Sequence, residues 1–222
     1  AERFAFVLKR KWEQYCLLGA FDNRKYKKEE LEQTLDLTEY NKDSENPSKI
    51  IFYEDNFMGI ASESLCEEEM QEQYEMLKKQ LSKIGEEKSE EAEDRELFKY
   101  YGILAELLSK KANINRRIRN AYQTDDKDKL CVCRQELLRI GELAENLRIQ
   151  RQKLWMEEYK PFGYELIDIR FAGVSARARS EAARIEAFTE GRLEHIEELE
   201  VELLPCRVPN LWDRMISAGN ME

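Results

Sequence analysis

From Cys66 onward the apolar residues recur at helical spacing. Met70, Tyr74, Leu77, Leu81 and Ile84 step by four, three, four and three, which lays them along one face of an amphipathic helix. Gly85 is placed to end it. The acidic run Glu86–Arg95 opens a second helix, since carboxylates suit the positive end of the helix dipole. Leu97, Tyr101, Leu104, Leu108, Ala112, Asn115, Ile118 and Tyr122 keep the period. The spacing therefore predicts one helix over 90–122, about 50 Å long at ~1.5 Å per residue. Gln123-Thr124-Asp125-Asp126 reads as a turn, with Asp125 or Asp126 as the N-cap of the next helix. That third helix carries Leu130, Leu137, Ile140, Ala144, Leu147, Leu154 and Trp155. It should stop near Lys160-Pro161, because proline disfavours helical backbone at its predecessor. A fourth helix, rich in Ala and Arg, covers about 164–189, with a break at Gly191. A fifth runs over about 192–204 to Pro205, and the tail beyond carries Val208, Leu211, Trp212 and Ile216, which should pack back.

Residues 1–62 follow a different pattern. Phe4, Phe6, Leu8, Trp12 and Leu17 suit a short helix or an irregular packed arm. Ile50-Ile51-Phe52-Tyr53 suits a short strand or an apolar anchor, and run length alone does not decide between them. The fold class expected is mainly α. An antiparallel bundle of about five helices, three of them long, fills 63–222 and follows an irregular aromatic arm over 1–62.

Composition sharpens this picture. Gly and Pro number 13 in 222 residues, so turns are few and elements long. Charged residues make up 37% and apolar residues 42%, enough for a core inside charged surfaces. A β-sandwich, a β-barrel, collagen and a disordered tail are all poor fits. The net charge of −10 argues against nucleic-acid binding, which needs a basic footprint. One basic stretch, Lys110, Lys111, Arg116, Arg117 and Arg119, contains no acid. It suits a helix face paired with acidic neighbours, or else an anion site. No stretch free of Asp, Glu, Lys and Arg exceeds Gln14–Phe21, far short of the ~20 apolar residues of a membrane helix. The five cysteines include Cys131-x-Cys133, which is neither a disulfide framework nor a redox motif. Reduced thiols and a cytoplasmic location are expected.

Candidate chemistry is sparse. The single histidine, His195, has Arg192 three residues before it, so the Glu-x-x-His pairs of a di-iron bundle are missing. No P-loop, G-x-G-x-x-G or G-x-S-x-G occurs. No catalytic residue, metal ligand or cofactor is assigned. One stretch is more specific than a bundle requires: Leu154-Trp155-Met156-Glu157-Glu158-Tyr159-Lys160-Pro161-Phe162-Gly163-Tyr164-Glu165-Leu166-Ile167-Asp168-Ile169-Arg170-Phe171-Ala172-Gly173. Arg170, with Asp168 and Glu165 just before it, invites a bidentate pair, and Gly173 would let two helices approach closely. A salt-bridged helix junction and a ligand-facing polar cluster both fit these residues.

This run resembles the C-terminal helical domain of bacterial exo-β-N-acetylhexosaminidases of glycoside hydrolase family 20. Matching pieces follow in order across about 46–216: Asn46-Pro47-Ser48-Lys49 with Tyr53, Asp55 and Gly59; Ala121-Tyr122 with Asp126 and Leu130; and Glu198-Leu199-Glu200 with Leu203-Leu204. Ala172 departs from the pattern, which has a second glycine there. The resemblance implies a preceding (β/α)₈ barrel whose adjacent Asp-Glu pair does substrate-assisted hydrolysis of terminal N-acetylhexosaminides. No Asp-Glu dipeptide occurs in this chain, so no catalytic residue carries over. The resemblance further implies a fragment of a longer chain, whose bundle packs beside the barrel and supports a homodimer. Trp155, Lys160, Glu165, Asp168 and Arg170 are then candidates for fixing the junction of the third and fourth helices or shaping the cleft edge. A stand-alone helical interaction module and an anion-binding bundle are the competing readings.

Overall fold

A computed structural model of the chain describes residues 47–59, 67–86 and 92–203. The expected residues of the arm before Pro47, the tail beyond 203 and residues 87–91 of the acidic run lie outside them. The fold is mainly α, as the periodicity predicts. α1 spans Pro47–Tyr53, α2 Glu67–Glu86, α3 Ala92–Lys111, α4 Ile114–Gln123, α5 Lys127–Glu158, α6 Tyr164–Thr189 and α7 Glu197–Glu200.

Cross-helix pairs give the register. Lys78 meets Glu106 and Asn113 meets Gln71, so α2 runs antiparallel to α3. Glu96 meets Gln150, Glu106 meets Arg139 and Glu136 meets Arg117, so α3 and α4 run antiparallel to α5. Arg148 meets Asp168, Ser175 meets the Gly141 carbonyl and Arg134 meets Glu186, so α5 runs antiparallel to α6. Among the described residues no helix is long and apolar enough to cross a membrane.

The core falls into two apolar clusters. One joins Ile51 and Phe52 of α1 to Met70, Tyr74, Leu77 and Leu81 of α2, Phe98 and Leu108 of α3, Leu147 of α5 and Phe171 of α6. The other joins Phe57 to Ile118 of α4, Leu130, Leu137 and Ile140 of α5, Ala178 and Ile185 of α6, and Ile196 and Leu199. Ile51 and Phe52 thus anchor the chain from a helix, which Pro47 starts with its preset φ.

Three expectations need correction. The predicted 90–122 helix is interrupted at Ala112-Asn113. The interruption is slight, since Ala112 N–H still reaches the Leu108 carbonyl and Arg117 N–H the Asn113 carbonyl. The apolar phase therefore continues across it, and periodicity alone cannot reveal it. The predicted 192–204 helix shrinks to Glu197–Glu200. Its carbonyls are taken from outside: Arg119 donates to those of Glu198, Leu199 and Val201. Finally, Gly173 is not the close-approach glycine, since a Cβ there would meet nothing within 4 Å. Gly141 is: a Cβ would lie 3.3 Å from the Ser175 carbonyl oxygen of α6. The departure at Ala172 is harmless because that residue is exposed.

Leu137 is fully buried, whereas Ile149 on the same helix is 51% exposed. Leu137→Ala should cost about 2–5 kcal/mol and Ile149→Ala no more than about 0.5, read from urea unfolding midpoints.

Candidate functional site

Two polar constellations stand out, one at the α5–α6 junction and one in the interior. At the junction, α5 ends at Glu158 and the chain turns through Gly163, whose φ of 89° suits glycine, into α6. The Trp155 indole N–H donates to the Lys160 carbonyl at 2.8 Å. Its ring packs against Tyr159 and Tyr164, and the Arg151 guanidinium lies over it. The Tyr164 hydroxyl donates to the Arg148 carbonyl at 2.8 Å. Glu165 accepts from the Gly163 N–H at 2.7 Å, tying the turn to the first turn of α6.

Asp168 and Arg170 point to different partners. Asp168 accepts from Arg148 of α5 at 2.5 Å, and Arg148 also engages Glu145. Arg170 reaches the Tyr53 hydroxyl at the end of α1. Burial raises that hydroxyl's pKa, and the guanidinium partly offsets the rise. Residues two apart on a helix face different directions, so the expected Asp168–Arg170 grouping becomes two separate ties. Trp155, Lys160 and Glu165 hold the turn, Asp168 holds α5 to α6, and Arg170 holds α6 to α1.

The interior constellation was not anticipated. The segment 54–59 crosses the bundle and is gripped from three helices. Glu181 of α6 is fully buried; its Oε1 accepts from the Asn56 backbone N–H at 3.1 Å and its Oε2 from Asn56 Nδ2 at 2.5 Å. Arg177, one turn earlier, donates from Nε to Asp55 at 2.6 Å and lies 3.2 Å from Glu181. Asp55 also accepts from the Phe57 and Met58 amides, which folds the segment into a tight turn. Lys111, at the end of α3, is buried and donates to the carbonyls of Phe52 at 2.9 Å and Glu54 at 2.6 Å. Asn115 and Arg119 of α4 donate to the carbonyls of Asn56 and Phe57. A cavity of about 60 Å³ borders this clasp beside Lys111, Asp55 and Arg177.

Burial dominates the electrostatics here. Desolvation pushes the Glu181 carboxyl up to about 8, the Asp55 charge adds to the rise, and Arg177, Asn56 and Lys111 oppose it. Desolvation likewise lowers the Lys111 ammonium, against Glu181, Glu54 and Asp55. Asp55, in contrast, is held below the usual carboxylate range: burial would raise it, but Arg177 and two backbone amides outweigh that. A protonated Glu181 finds an acceptor if the Asn56 amide turns over, since the Asn56 Oδ1 is otherwise buried without a partner.

Sequence held a signal for this clasp. Glu181 keeps the phase of Val174, Ala178 and Ile185, and Asn115 sits within the apolar stripe of α4. A polar residue in an apolar phase marks a buried polar contact. The partner segment 54–59 has no such periodicity.

Four of the five residues of the basic stretch have partners within the chain. Arg116 pairs with Glu68 and Arg117 with Glu136, while Arg119 and Lys111 are spent on carbonyls. His195 is exposed and contacts Glu200, which the Tyr122 hydroxyl also reaches.

A family model described as the glycoside hydrolase 20C C-terminal domain matches residues 26–216. The chain belongs to this family. Comparison with curated proteins returns no match. The family match spans both constellations.

Between about pH 4.5 and 8 the folded state holds the Glu181 proton that the unfolded state has released. Stability should therefore be greatest on the acid side of this window and fall as pH rises through it. Glu181→Gln should flatten that fall, measured as melting temperature at pH 5, 6.5 and 8. Lys111→Met should cost about 1–3 kcal/mol at pH 7 for each of the two buried carbonyls that lose their donor; chemical unfolding gives the value.

Proposed function

We propose that this chain is the non-catalytic C-terminal helical domain of a bacterial, cytoplasmic β-N-acetylhexosaminidase of glycoside hydrolase family 20. The parent enzyme removes terminal N-acetylhexosamine with a (β/α)₈ barrel that precedes the bundle. Residues 1–62 lead from that barrel, with 47–59 engaged by the bundle helices, and 63–222 form the bundle. The bundle packs on the barrel and supports a homodimer. The family match over 26–216 is the observation that carries this proposal. The internal engagement of the strongest charge clusters also supports an architectural role: Asp55, Lys111, Arg177 and Glu181 are spent on the clasp.

Arg170 and its neighbours hold the turn between α5 and α6 and tie it to α1, the element through which the arm joins the bundle. In the full-length enzyme Arg170→Ala should lower stability by about 0.5–1.5 kcal/mol, the worth of one hydrogen bond, or weaken dimerisation, while kcat stays close to wild type. Calorimetry, sedimentation and steady-state kinetics on the same preparation test this. Normal melting and assembly with a selective loss of kcat would contradict it.

A further inference from the structure

The clasp has hydrogen-bonding capacity left over. The Lys111 ammonium carries three protons and gives two of them to the Phe52 and Glu54 carbonyls. Asn56 is 2% exposed; its backbone amide and Nδ2 engage Glu181, and its Oδ1 is buried with no partner. A buried polar atom without a partner is costly. Lys111 and Asn56 both line the cavity of about 60 Å³, together with Tyr53, Glu54, Asp55 and Arg177.

Size and charge decide what fits there. A water molecule takes ~30 Å³ of liquid, so about 60 Å³ has room for about two. The lining sets two acidic residues, Glu54 and Asp55, against two basic ones, Lys111 and Arg177. Asp55 and Arg177 already pair at 2.6 Å. A free ion of either sign would lose its hydration shell and meet a like charge. A neutral molecule that both donates and accepts avoids that cost. Such a molecule also serves either orientation of the Asn56 amide, because it can answer whichever atom Glu181 does not hold.

Gly173 adds an entrance. It lines the same cavity from α6 and is half-exposed, next to the buried Val174. Glycine inside a helix costs stability relative to alanine. The usual reasons for one do not apply here: its φ is not positive, and a Cβ would meet nothing within 4 Å. The missing side chain leaves the solvent side of the cavity open.

We propose that this cavity is a water site belonging to the clasp. Ordered water accepts the third Lys111 proton, donates to Asn56 Oδ1 and enters past Gly173. A crystal structure of the chain grown with bromide tests the ligand. Oxygen-sized density should lie within hydrogen-bond reach of Lys111 Nζ and the Asn56 amide, with no bromide anomalous signal in the cavity. A bromide peak there would make it an anion site, and a dry cavity would mean that nothing binds; either result overturns the proposal. Magnetic relaxation dispersion of water oxygen tests the entrance in solution. Gly173→Leu should lower the dispersion amplitude by the share of about two long-lived waters, whether the leucine expels them or shuts them in. Gly173→Ala, whose Cβ clears every neighbour, should keep the wild-type amplitude and controls for the change in helix propensity. An amplitude unchanged in Gly173→Leu overturns the assignment of Gly173.

Discussion

The carboxyl of Glu181 takes both nitrogens of Asn56 in the middle of a helical interior. This contact fixes a segment that has no regular structure of its own. With Asn56 seated, Asp55 meets Arg177, the Glu54 carbonyl meets Lys111 and the Phe57 carbonyl meets Arg119. α3, α4 and α6 are thereby tied through one short crossing of the chain. The two apolar clusters meet at this level: Phe52, just before the crossing, belongs to one and Phe57, at its end, to the other. Buried charges are costly, and the clasp is tolerable because Asp55 is paired with Arg177, Lys111 donates to two carbonyls and Glu181 holds its proton up to about pH 8. Its return is register, since polar partners at fixed heights forbid the helices from sliding.

From the clasp outward the same geometry sets what the surface offers. The crossing runs with α6, and the tie from Tyr53 to Arg170 sits between clasp and junction. The junction holds its turn with aromatic packing and backbone hydrogen bonds, and leaves its large apolar side chains outside. A family 20C C-terminal domain built this way carries its polar clasp inside and several large apolar side chains outside near the α5–α6 turn.

Much of the fold was legible in the sequence. The four-three steps of Met70 to Ile84 give α2, the 164–189 estimate coincides with α6, and Asp126 caps α5 by accepting from the Lys129 amide. These succeed because burial of one stripe outweighs local detail. The failures have the opposite cause. The interruption at Ala112-Asn113 keeps the apolar phase, so nothing in the pattern announces it. The 192–204 helix loses to Arg119, a competitor some 80 residues away in the chain. The junction residues were named from a motif, but their pairings were not, because Asp168 and Arg170 face different helices. The clasp was not legible because segment 54–59 carries no periodicity, so Glu181, though in apolar phase on α6, and Lys111 show no partner in the sequence.

If the clasp is the keystone, segment 54–59 opens only when the whole bundle does. Native-state hydrogen exchange at the Asn56 and Phe57 amides, which donate to Glu181 and Asp55, tests this most directly. Both amides should exchange with the same opening free energy as those of Leu137 and Ile140 in the core of α5. Exchange through a local opening of markedly lower free energy, with the core amides still protected, would contradict the account.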